Sequence, residues 1–206
     1  MTTGNEPWRH AKNLQQTLDT LLAEAITASG LCRKIAEQLH SQQQQQGERS
    51  ALSSSFGLLV RNKKKKEFIG GWLNYQISLS GDGLPQRADG QPCAPVLHVA
   101  HWACEFAFEY DAYVGFPASQ WQPWQQQGDS LLWWEESDSS FGPEWTYTLD
   151  LAALNSEDAL RAAVVAPALA LLAGKPVAEA LPATTPGLLC YSSVPDANGD
   201  TDLRVS

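Results

Sequence analysis

Two histidines and a cysteine, His98, His101 and Cys104, sit close enough in the chain to invite a metal reading, because neutral imidazole and thiolate are good zinc ligands. The residues around them alternate in polarity, so 96 to 110 reads as a strand, and on a strand His101 points away from His98 and Cys104. Without a bulge the three cannot converge. The simpler expectation puts Val96, His98, Ala100, Trp102 and Cys104 on a core face and Leu97, Val99, His101 and Glu105 behind it.

A second constellation is acidic. Glu105, Glu109 and Asp111 would lie near Glu135, Glu136 and Asp138 if their strands were neighbours, and paired carboxylates can act as acid and base or hold a divalent cation. On an acidic chain such a face is more simply a solvated one. The one concentrated positive charge is Lys63, Lys64, Lys65 and Lys66, next to Arg61, at what reads as a hairpin tip. It could contact phosphate, although lysines at a turn also keep a sheet edge soluble. Trp121 and Trp124 fall in a Gln-rich loop before Trp133 and Trp134, where exposed indoles anchor partners and buried ones build an aromatic core. Phosphate cradles of the GxxxxGK[ST] or GxGxxG type and a GxSxG nucleophile turn are absent from the sequence. No cofactor and no metal are expected.

Composition narrows the classes further. The chain has 206 residues, 43% of them hydrophobic, with a net charge of −9. That is enough apolar material for a real core, and the negative field opposes general attraction to nucleic acid or anionic membrane. Cys32, Cys93, Cys104 and Cys190 show no stapling pattern and read as reduced thiols. The opening MTTGNEPWRHAKN lacks an apolar targeting run, so a cytoplasmic setting without a membrane span is expected.

The elements that must position these groups begin with a heptad pattern. Leu14, Leu18, Leu21, Ala25, Ala28, Cys32, Ile35 and Leu39 follow four-three spacing, which predicts one amphipathic helix over 12 to 40, on the order of 40 Å long, with Gly30 as a local weakness. Its stripe needs cover from another chain, a partner or this chain's own body. Residues 42 to 46 read as a Gln-rich linker, giving a helix-and-linker region at 1 to 48 and a sheet domain at 49 to 206.

From Phe56 the period becomes two, and about five antiparallel strands follow at 56 to 61, 67 to 80, 96 to 110, 131 to 136 and 144 to 151. A C-terminal helix then starts at Asn155 or Ser156, is kinked or split by Pro167 and stops at Gly174. A short helical stretch over 177 to 181, an edge strand over 187 to 194 and a loose tail complete the pattern. Strands grouped between helices predict an α+β fold.

The functional expectation is a non-catalytic protein-interaction or adaptor protein. It would associate through Leu14, Leu18, Leu21, Ile35 and Leu39, as a homodimer or with a protein partner, with Trp121 and Trp124 as further anchors. Two alternatives stand beside it: an acidic inhibitor or immunity-type protein that binds a basic partner, and a metal-dependent enzyme using the acidic strand residues.

Overall fold

The computed structural model describes residues 6–29, 35–40, 51–61, 68–81, 84–102, 125–134, 144–195 and 201–206. The fold is α+β. Helix α1 spans Glu6–Ser29, and seven strands form one sheet: β1 Ile35–His40, β2 Ala51–Arg61, β3 Phe68–Ser78, β4 Val96–Trp102, β5 Gln125–Gln127, β6 Leu131–Trp134 and β7 Glu144–Asp150. Their order across the sheet is β1-β2-β3-β4-β7-β6-β5, and every pairing is antiparallel. Two of these strands exceed the sequence expectation, β5 in the Gln-rich segment and β1 in the region assigned to the helix.

The predicted rod is therefore corrected. α1 stops at Ser29, whose hydroxyl donates to the Ile26 carbonyl at 2.8 Å, and Ile35 and Leu39 belong to an edge strand. In that strand Ile35 faces Leu58 and Leu39 faces Ser55, with the register shifting between Ala36 and Leu39. An i, i+4 pair of apolar residues fits a helical period and a two-residue period equally, so Ile35 and Leu39 carried no information about which one applies.

Within α1 the buried residues are Ala11, Leu14, Leu18, Leu21, Leu22 and Ile26. That is a broad stripe of the kind that seats a helix on a protein body, wider than an a/d seam because Leu22 and Ile26 take part while Ala28 is exposed. The helix lies against β2 and the C-terminal helical segment, and its leucines share one buried cluster with Phe56, Leu73, Tyr75, Val99, Tyr147 and Leu149 of the sheet.

Polar tethers fix its position. Gln15 Nε2 donates to the Ser53 carbonyl at 3.1 Å and to Ser54 Oγ at 3.2 Å, and Tyr75 Oη donates to Asp19 Oδ1 at 2.6 Å and to the Gln15 carbonyl at 3.2 Å. Tyr75→Phe removes both bonds of the phenol, the one to the Asp19 carboxylate being the shorter, while keeping the ring. We expect a loss of about 2 kcal/mol in denaturant unfolding, the usual scale for a bond to a charged acceptor; an unchanged midpoint would show that the tether carries no weight.

The C-terminal helix begins as expected, with Ser156 Oγ accepting from the Ala159 N–H at 3.1 Å and Glu157 and Asp158 in the first turn, favourable at the positive end of the dipole. Pro167 does not split it. Instead α2 (Glu157–Leu160) widens into a π-helical stretch, Arg161–Val165, and continues as α3 (Ala166–Leu172), with right-handed helical backbone at each junction. A proline has no N–H for the carbonyl four residues earlier, here Ala163, and its ring crowds that carbonyl. Tyr147 Oη fills the gap from the sheet, donating to the Ala163 carbonyl at 3.3 Å and the Val164 carbonyl at 3.2 Å.

After Gly174 and the short α4 (Val177–Ala180), residues 187–189 run beside β7. Gly187 is required at the start of this contact. Its φ is +70°, and a Cβ there would come within 2.7 Å of Ala153 Cβ and 2.9 Å of the Asp150 carbonyl. The described end of the tail is ordered into a strand: β8 (Tyr191–Pro195) pairs with β9 (Thr201–Val205) in a two-stranded sheet, and Val205 is bridged to Arg87. No helix among the described residues is long and apolar enough to cross a membrane.

Candidate functional site

A strand sends alternate side chains to opposite faces, so the pairing register sorts this sheet residue by residue. One face is the apolar one under the helices, with rows such as Phe56–Leu73–His101–Trp145–Trp133 and Ser54–Tyr75–Val99–Tyr147–Leu131. His101 belongs here, its ring 5.8 Å from that of Trp145, and Trp145 stacks in turn on Tyr147 at 5.9 Å. The sequence expectation for β4 is thereby reversed, since Leu97, Val99 and His101 face the helices and His98 and Ala100 face the other way. Both sets looked equally apolar because the second face is closed as well.

That second face is polar. Its rows read Ser53–Gln76–His98–Thr148 and Ser55–Asn74–Ala100–Thr146–Leu132. Asn74 is 0% exposed, His98 1% and Thr148 2%. A buried polar group is tolerated when it is hydrogen-bonded, and most of these are. Gln76 Nε2 donates to Ser78 Oγ at 2.9 Å, and Asn74 Nδ2 donates to the Trp72 carbonyl at 3.3 Å.

A longer chain of bonds links the C-terminal hairpin to the sheet. Tyr191 Oη donates to Thr148 Oγ1 at 2.6 Å, and Thr148 Oγ1 lies 2.9 Å from His98 Nδ1. The Thr148 hydroxyl, which can accept two bonds and donate one, thus joins the phenol to the imidazole ring. The main chain seals the same junction: Gln126 Nε2 donates to the Tyr191 carbonyl at 2.8 Å, and the Tyr191 N–H donates to the Asp129 carbonyl at 2.6 Å. Two atoms of this face, Asn74 Oδ1 and Thr146 Oγ1, have no hydrogen-bond partner among the described residues.

Such an arrangement can orient and hold, and burial disfavours ionisation of its phenol. Burial pushes the Tyr191 phenol far above its ordinary range, with the Thr148 bond offsetting this only in part. Burial does the same to Tyr147, and to Tyr75 with help from the nearby Asp19 carboxylate. All three therefore favour the neutral form in the folded chain. Their contribution to stability is complete below the unfolded tyrosine pKa of about 10 and declines as pH rises above it, because only the unfolded chain ionises there. We expect a flat stability profile up to about pH 9.5, then unfolding that coincides with the growth of phenolate absorbance. Phenolate formation by more than two of the five tyrosines before loss of near-UV circular dichroism would show that these hydroxyls are open to solvent.

Of the residues singled out in the sequence, Leu14, Leu18 and Leu21 are brought together, but inside the chain's own core. Trp121, Trp124, the run Lys63 to Lys66, Cys32, Cys104 and the acidic residues Glu105, Glu109, Asp111, Glu135, Glu136 and Asp138 lie outside the described residues. His98 and His101 are separated by the sheet. Among the described residues no three His, Cys, Asp or Glu side chains come together as a metal cluster, and Cys93 and Cys190 are half-buried free thiols, with burial raising the Cys93 pKa. The polar rows themselves, built from Asn74, Gln76, Thr146 and Thr148, and the Tyr191 phenol that bonds to them, were missed. The available signal was the alternation of Trp72, Asn74, Gln76 and Ser78 against Leu73, Tyr75 and Ile77, which marks a polar face without indicating that it is covered.

The fold and this site define an α+β protein whose seven-stranded sheet has an apolar, helix-covered face and a polar, closed one. No protein-family model, curated protein or solved structure matches the chain.

Proposed function

We propose that this chain is a non-catalytic binding protein, acting as an acidic inhibitor or adaptor for a basic protein partner. The observation that carries the reading is that, among the described residues, the two features best suited to other roles are occupied internally. The leucine stripe of α1 is buried against its own sheet, and the Tyr191–Thr148–His98 chain is closed to solvent, with its members 7%, 2% and 1% exposed. A reacting group needs substrate within hydrogen-bond reach, and a dimer seam needs an open stripe. What the chain offers outward is a net charge of −9, which steers a basic partner and repels polyanions.

Association of this kind is salt-sensitive, because raising ionic strength from about 0.1 to 1 M shortens the Debye length from roughly 10 to 3 Å. The tagged chain is expected to capture a basic protein from cell extract at the lower salt and to release it at the higher. A stoichiometric partner that is acidic, or one that stays bound through the salt step, would overturn the reading.

A further inference from the structure

No further inference is drawn: the strongest candidate, the buried pair Asn74 Oδ1 and Thr146 Oγ1 flanking Ala100 on the polar face of the sheet, belongs to the site already described, and nothing among the described residues gives a ligand a path to it.

Discussion

Leu18→Glu is expected to abolish the fold and not merely to alter assembly. Leu18 is 0% exposed at the centre of the α1 stripe, within the cluster that also holds sheet and C-terminal helix residues. Removing a buried leucine side chain costs about 2–5 kcal/mol, and burying a carboxylate in its place adds several more, against a total stability of about 5–15 kcal/mol for a domain. The measurement is near-UV circular dichroism beside sedimentation velocity. Loss of the aromatic signal with aggregation is the expected outcome. Thr17→Glu, on the exposed side of the same turn, should leave both readouts unchanged. A Leu18→Glu chain that stays folded and sediments as a monomer, where the unaltered chain is a dimer, would return the seam to an interface between chains.

The second large effect concerns the widened turn of the C-terminal helix. Tyr147→Phe leaves the Ala163 and Val164 carbonyls without their phenolic donor in a fully buried setting, which should cost about 1–3 kcal/mol. Pro167→Ala supplies the missing N–H four residues after Ala163, so the phenylalanine substitution should cost less in that background. A double-mutant cycle in denaturant unfolding is expected to give a coupling of about 1 kcal/mol. Equal costs in both backgrounds would mean that the hydroxyl does not serve the carbonyl that the proline orphans.

The residues explain why much of the architecture could be read in advance. Ser156, Glu157 and Asp158 announce the C-terminal helix through capping and dipole chemistry, which are local effects. The β2–β3 pairing is equally local, with Arg61 opposite Phe68. The errors arose where a local pattern has two solutions that only tertiary partners separate. Ile35 and Leu39 continue the stripe of α1 in sequence, yet they gain ladder hydrogen bonds by pairing with β2. Leu97, Val99 and His101 compete with Val96, His98 and Ala100 for the helix-facing side of β4, and cross-strand register with Leu73, Tyr75 and Ile77 decides between them. The bond from Tyr191 to Thr148 joins residues 43 positions apart, and the path of the hairpin is needed to foresee it.

The burial of α1 also sets the order of events during synthesis. This helix leaves the ribosome before the sheet it packs on, and the segment that completes its cover, Ala163 to Leu172, is made roughly 130 residues later. At translation speeds of about 5–20 residues per second, Leu14, Leu18, Leu21, Leu22 and Ile26 wait on the order of ten seconds for that part of their shelter. A nascent chain arrested before Ala163 therefore displays a greasy ridge that the finished molecule conceals, and holding chaperones would be expected to bind there.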